Sequence, residues 1–208
     1  MSDDPVAGVL LAAGLSSRMG KNKLLVELEG KSVLRRAVDT AAAAGLQPIL
    51  VVLGHERERA QAELEGLPCQ TVINPDYARG MNTSLRAGIA AVPPSADAAV
   101  VMLADMPFVS AAMIRALVER WRAAGTPLAI STYDGVLAPP TLYGRALFGE
   151  IDALDGDGCG KRVIKRHRGE AVEMEWPAPS LTDLDRPEDV ERVLARLGAA
   201  QALAKGGA

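Results

Sequence analysis

Three short apolar runs constrain this chain most: Val6 to Ala12 (V-A-G-V-L-L-A), Pro48 to Leu53 (P-I-L-V-V-L) and Ala98 to Leu103 (A-A-V-V-M-L). Unbroken runs of this length read as strands buried on both faces. Shorter runs at Gln70 to Ile73 and Leu128 to Thr132 extend the series, and a weak strand is predicted around Val172 to Trp176. Helical spacing fills the gaps. Apolar residues at 33, 34, 37, 38 and 41 predict a helix over 32–44, with Ser32 as cap and Gly45 as stop. Met113, Ile114, Leu117, Val118 and Trp121 share one face of a helix over 110–124 that Ser110 can cap. Further helices are predicted over 57–65, 82–91, 162–167 and 187–197, with the tail from Gly198 fraying. The segment 135–145, rich in Gly and Pro, is expected to cross an edge of the sheet. Strands alternating with helices imply right-handed crossovers and an α/β fold: a mostly parallel sheet covered on both faces.

Ligands of such sheets sit beyond the carboxyl ends of the strands. The segments there are 13–23, 54–55, 74–81, 104–109 and the loop after Thr132. With 208 residues the chain suits one domain, which buries about 70% of its unfolded surface. No internal repeat or linker marks a second. Net charge is −3 with no basic run, which argues against nucleic acid and membrane surfaces as partners. No apolar run approaches the roughly 20 residues of a membrane span. Cys69 and Cys159 lie far apart and outside any C-x-x-C spacing, so neither a disulfide framework nor a zinc site is expected. The acidic start, Met1-Ser2-Asp3-Asp4-Pro5, is not that of a signal peptide, and a reducing cytoplasm is the expected compartment.

Four segments carry chemistry. The first strand runs into Leu11-Ala12-Ala13-Gly14-Leu15-Ser16-Ser17-Arg18-Met19-Gly20-Lys21-Asn22-Lys23. Backbone N–H groups of such a loop cradle an anion, Arg18 offers a planar fork and the lysines a point charge. A plain turn with solvated basic residues would look the same. The loop matches neither G-x-G-x-x-G nor the P-loop pattern. Asp105 follows the central strand in Ala104-Asp105-Met106-Pro107 and suits Mg2+, which takes carboxylates and substrate phosphates. Capping the next helix is its alternative duty, for which Ser110 is better placed. In Asp183-Leu184-Asp185-Arg186-Pro187-Glu188-Asp189, the last three residues start a helix. Asp183 and Asp185 alternate like strand residues, and either could be a second metal carboxylate. Asn74 to Gly88 holds Gly80, Thr83 and Ser84 at a helix start, where they could read a base or ribose or simply cap the helix.

Together these segments resemble the molybdenum cofactor cytidylyltransferases, a branch of the nucleoside-triphosphate transferases. The resemblance rests on L-A-A-G-L-S-S-R-M-G-K-N-K (11–23), N-P-D-Y-A-R-G-M-N-T-S-L-R-A-G (74–88), L-A-D-M-P (103–107), L-D-G-D (154–157) and D-L-D-R-P-E-D (183–189). It implies a three-layer α/β/α nucleotidyltransferase fold over 1–208, the N-terminal half binding nucleotide and the C-terminal half the acceptor. It also implies CTP with Mg2+, and attack by the phosphate of molybdopterin on the α-phosphorus with loss of pyrophosphate. Arg18 and Lys23 would hold the phosphates, and Asp105 with Asp183 or Asp185 the metal. Leu11, Ala12, Ala13, Gly14, Ser16, Gly80 and Ser84 would line the nucleoside pocket. A molybdenum oxidoreductase receiving the cofactor is a further implied partner. The pair Ala12-Ala13 resembles the cytidylyl branch, whereas the guanylyl branch carries a glycine pair.

Some positions depart from that pattern. Arg186 stands where a capping Thr is usual, Cys159 and Gly160 where Gly and Ala are usual, and Ala138-Pro139-Pro140 replaces G-H-P. These departures bear on the acceptor. The rivals are a transferase for another small phosphorylated acceptor, an NAD(P)H-dependent oxidoreductase and a cofactor carrier. An intact Arg18, Lys23 and Asp105 set favours the transferase over the last two. His55 and His167 are expected to be structural or merely exposed.

Overall fold

The computed structural model describes residues 4–15, 19–20 and 22–206, with side chains through 199. The chain begins with β1 (Val6–Ala12), a small hairpin of β2 (Glu27–Leu28) and β3 (Lys31–Ser32), then α1 (Val33–Ala43) and β4 (Ile49–Leu53). Next come α2 (Arg57–Glu63), β5 (Gln70–Ile73), α3 (Met81–Ala90), β6 (Ala98–Leu103) and α4 (Ala111–Ala124). The rest is β7 (Leu128–Tyr133), β8 (Val136–Gly144), α5 (Phe148–Asp152), α6 (Lys161–His167), β9 (Val172–Trp176) and α7 (Pro187–Gly206).

One sheet takes the order β5-β4-β1-β6-β8-β7-β9. β1 lies inside it, parallel to β4 and β6, with Leu10 beside Val51 on one side and Met102 on the other. The period of two sorts side chains into two cores. Leu10, Val51 and Val100 face a layer with Leu34, Val38, Ile114 and Leu117 from α1 and α4. Val9, Val52 and Val101 face the opposite layer, with Leu85 and Ile89 of α3 and Val163 and Ile164 of α6. Every residue of β1 and β4 is buried, which is why both read as unbroken apolar runs. This is the three-layer α/β/α arrangement expected above.

The predicted caps are in place. Arg35 N–H donates to Ser32 Oγ at 3.3 Å, and Met113 N–H donates to Ser110 Oγ at 3.2 Å. Asp105 is thereby spared a capping duty.

Three expectations need correction. The segment 135–145 does not cross an edge: β8 lies inside the sheet, antiparallel to both β6 and β7. Its prolines are tolerated because they fall where the β7–β8 register shifts, between Ala129 and Ser131, so the ladder asks nothing of their missing N–H groups. Instead their carbonyls accept from side chains: Tyr133 Oη donates to Pro139 O at 2.8 Å and Ser131 Oγ to Pro140 O at 2.7 Å. Asp183 and Asp185 sit in a segment that joins no strand. The last helix does not stop at Leu197 but continues to Gly206. Among the described residues no helix is long and apolar enough to cross a membrane.

Candidate active site

A cavity of about 490 Å3 opens beyond the carboxyl ends of β1 and β6. Leu11, Ala12, Ala13, Gly14 and Leu15 form one wall, and Tyr77 to Met81 with Ser84 the other. Lys23, Leu24, Leu103, Asp105 and Asp157 complete the lining. Six of the predicted nucleoside residues, Leu11 to Gly14 with Gly80 and Ser84, thus meet Lys23 and Asp105 around one space. A groove of about 530 Å3 between Leu46–Ile49 and Leu67–Gln70 lies at the start of β4, the other end of that strand, and none of its lining residues is charged. Arg18, Ser16 and Lys21 lie outside the described residues.

Asp105 is fixed by backbone on both sides. Ala104 N–H donates to Leu11 O at 3.2 Å, and Leu184 N–H donates to Asp105 O at 3.3 Å. Leu184 is fully buried and anchors its segment, so Asp183 and Asp185 flank the same spot. The turn after them is held by Asp189, whose Oδ2 accepts from the N–H groups of Asp185 at 3.0 Å and Arg186 at 2.8 Å. The Asp189 carboxylate thus supplies the half of a capping box that needs no Thr at 186.

Lys23 opens a 3-10 turn that the buried Asn22 caps, its Oδ1 accepting from Leu24 N–H at 3.1 Å. Its ammonium reaches the acids: Nζ pairs with Asp105 and donates to Asp185 Oδ1 at 2.9 Å. Burial alone would lower the Lys23 pKa, but the two carboxylates outweigh it and the ammonium is held above its ordinary value. Asp183 is pushed up to about 6, by burial first and by the Asp105 carboxylate second, while Lys23 pulls it down. The residue still has an exposed face, so solvent or a cation can reach it.

Three carboxylates around one ammonium leave a net negative charge at the mouth of the cavity. That excess is what fits a divalent cation. Among the described residues, no three His, Cys, Asp or Glu side chains are placed to hold a metal ion by themselves. Mg2+ does not need one, because it keeps waters and takes one or two carboxylates plus phosphate oxygens.

The facing wall is built by buried amides that the sequence reading did not single out. Asn74 Nδ2 donates to Thr83 Oγ1 at 2.8 Å and to Ser84 Oγ at 2.9 Å. Ser84 therefore accepts within the wall while lining the cavity. Asn82 Nδ2 donates to the carbonyls of Asp155 at 2.8 Å and Asp157 at 3.1 Å, and its Oδ1 accepts from Gly160 N–H at 3.0 Å. One side chain thus latches the loop 155–160 onto the start of α3. Gly80 makes the close approach possible. Its φ is +115°, and a Cβ there would lie 2.7 Å from the Gly156 carbonyl. The signal for this loop was the L-D-G-D run, whose contacts no spacing rule could supply.

The departures at 159–160 are matched by their surroundings. A side chain at Gly160 would fall on the buried Tyr143 hydroxyl, so the usual Ala has no room. The Cys159 thiol is pushed up to about 12 by burial, which keeps it protonated and unreactive. His167 Nε2 lies 2.8 Å from Glu150 Oε1 on a distant surface, and His55 points toward Glu56 at 3.9 Å.

Residues 8–172 match the MobA-like NTP transferase domain, and the chain belongs to that family. It is a nucleotidyltransferase by fold and by family. It is 31% identical over 199 residues to the purine catabolism protein PucB of Bacillus subtilis (strain 168), covering 89% of this chain and 94% of that one. It is 32% identical over 179 residues to the bifunctional protein GlmU of Sorangium cellulosum, covering 81% of this chain but 36% of GlmU. The structure of Rv0371c from Mycobacterium tuberculosis H37Rv superposes with a TM-score of 0.82 at 28% identity, covering 93% of this chain and all of the other. Rv0371c has also been solved in complex with manganese, with a TM-score of 0.74.

Proposed function

We propose that the protein transfers a cytidylyl group from CTP to the phosphate of molybdopterin, or of its molybdenum-loaded form, in a Mg2+-dependent reaction. The observation that carries this reading is the meeting of Lys23, Asp105 and Asp185 at the mouth of a nucleoside-sized cavity. Leu11 to Gly14 and Ser16 with Gly80 and Ser84 hold the nucleoside. The manganese complex of Rv0371c supports a divalent cation, which Asp105 with Asp183 or Asp185 would hold here. When bound, that ion neutralises phosphate charge and fixes phosphate oxygens. Lys23 leaves the carboxylates for the triphosphate, and Arg18 joins it there. An oxygen of the acceptor phosphate forms its bond to the α-phosphorus as the bond to pyrophosphate breaks. Such transfers need positioning and charge neutralisation more than a covalent protein nucleophile.

CTP is favoured by the Ala12-Ala13 pair, which leaves less room than a glycine pair would. The N-terminal half serves the nucleotide. The acceptor meets the C-terminal half, where Tyr133, hydrogen-bonded to Pro139, lies near Asp183. The two free cysteines fit a reducing, cytoplasmic compartment. The relatives bear on small-molecule substrates, and the reading includes no oxidoreductase partner.

A second reading keeps the chemistry and changes the acceptor to another small phosphorylated molecule. The likeness to GlmU and the departures at 138–140 and 159–160 favour it. Incubation with each of the four NTPs, Mg2+ and molybdopterin, read by pyrophosphate release and product mass, separates the two. A cytidylylated pterin is expected. Turnover with a sugar phosphate but not with molybdopterin would select the second reading, and no pyrophosphate from any NTP would reject both.

A further inference from the structure

We infer that Asp157 is the residue that selects the nucleobase, accepting a hydrogen bond from the exocyclic amine of cytosine. This rests on the reading that the cavity holds CTP with the nucleoside against Gly80 and Ser84, and it names how that site recognises its base.

The loop carrying Asp157 is the one latched by Asn82, itself almost fully buried at 2% exposure. Asn82 N–H also donates to Gly156 O at 3.1 Å. The loop is therefore held to α3 by both side-chain and backbone bonds, and the position of Asp157 is dictated by the nucleoside wall. Asp157 Oδ1 accepts from Met81 N–H at 3.0 Å. A Cβ on Gly80 would stand 2.8 Å from the same oxygen. The carboxylate thus lies directly on Gly80 and Met81, and it lines the cavity with them.

The other carboxylate of the cavity wall, Asp105, is committed to Lys23. Asp157 uses one lone pair on Met81, and its second oxygen remains on an exposed side chain at the cavity. An ionised carboxylate only accepts hydrogen bonds. Cytosine carries a single donor group on its base edge, the N4 amine, whereas uracil places the O4 acceptor there. At that edge Asp157 attracts cytosine and repels uracil. This discriminator is separate from the Ala12-Ala13 pair, which sets room for a pyrimidine against a purine.

The test measures binding of Mg2+-nucleotide without acceptor, so that nothing turns over. For the unmodified protein, CTP should bind at least about tenfold more tightly than both UTP and the triphosphate of pyrimidin-2-one riboside, which lacks only the amine. Asp157→Asn keeps the size of the side chain and can keep the Met81 bond, but it can place an N–H2 toward the base. In that variant the CTP-to-UTP ratio should fall to near one or invert. An unchanged ratio in Asp157→Asn overturns the assignment. So does equal binding of CTP and the pyrimidin-2-one nucleotide by the unmodified protein, a result that needs no variant to fold. Tighter binding of GTP than CTP by the unmodified protein would instead reject the cytidylyl reading, on a comparison in which Asp157 is unaltered.

Discussion

The strands β5-β4-β1-β6 and the strands β8-β7-β9 share one sheet but are specified in different ways. The first group is wholly parallel. Its central strands are buried on both faces, so local apolar pattern alone commits them. The second group contains an antiparallel strand, a register shift and two adjacent prolines. It is held by bonds from single side chains to backbone, Tyr133 to Pro139 and Ser131 to Pro140, and the loop that follows is held by Asn82 to 155–160. The two groups pair along β6 and β8, and their loops meet where Lys23, which follows β1, bonds Asp185, which follows β9. The first region could change much of its surface and keep its shape. The second depends on particular polar atoms.

Breaking the meeting point should have the largest effect. Asp105→Asn should leave the fold intact and lower turnover about a thousandfold or more, because Mg2+ then holds and neutralises the phosphates less well. Pyrophosphate release under saturating CTP reads this, and undiminished turnover would remove Asp105 from the metal site. Lys23→Ala should slow the reaction by two to four orders of magnitude, about 3–5 kcal/mol of lost charge stabilisation. Arg18→Ala should do the same, whereas Lys21→Ala should matter far less. Equal losses at Lys21 and Lys23 would mean that the wrong lysine carries the phosphates.

The contrast between the two regions is sharpened by Asn82→Ala. It strips the Gly160 N–H and two carbonyls of their partner, and an unsatisfied buried group costs about 1–3 kcal/mol. Urea denaturation should show a loss of about 2–4 kcal/mol. Hydrogen exchange should accelerate at Gly160 and leave the β1 and β6 amides slow. Uniform acceleration across the sheet would mean that the latch holds the whole molecule rather than one loop. The smallest expected effect is at Ala12→Gly with Ala13→Gly. Opening that wall should shift kcat/KM from CTP toward GTP by about ten- to two-hundredfold, or 1–3 kcal/mol.

The same contrast governs what could be read from the sequence. β1, β5, β6 and β9 begin and end where the spacing of residues places them, and Ser32 and Ser110 cap where local chemistry puts them. That 13–23, 74–81 and 104–109 come to one cavity was legible because the loops after parallel strands converge by topology, and the family resemblance picked out Lys23 and Asp105 among them. β8 was not, since Gly135, Pro139 and Pro140 look like a loop until the register shift that accommodates them is seen. α5 has only five residues, too few for a helical period to declare itself. Asn74, Asn82 and Asp157 escaped for a related reason. Each acts through a partner that sequence order does not place beside it; for Asn82 and Asp157 the partner is more than seventy residues away. The direct bond between Lys23 and the acids also lay beyond the sequence, which could place each group at the site but not pair them.

If one cation is grasped by both regions, its affinity must depend on acids from each. Electron paramagnetic resonance of Mn2+ binding in the presence of CTP, without acceptor, measures this in the unmodified protein and in Asp105→Asn, Asp183→Asn and Asp185→Asn. Asp105→Asn and one of the other two variants should each weaken Mn2+ at least about tenfold, which also decides between Asp183 and Asp185. Mn2+ held by Asp105→Asn as tightly as by the unmodified protein would contradict the account.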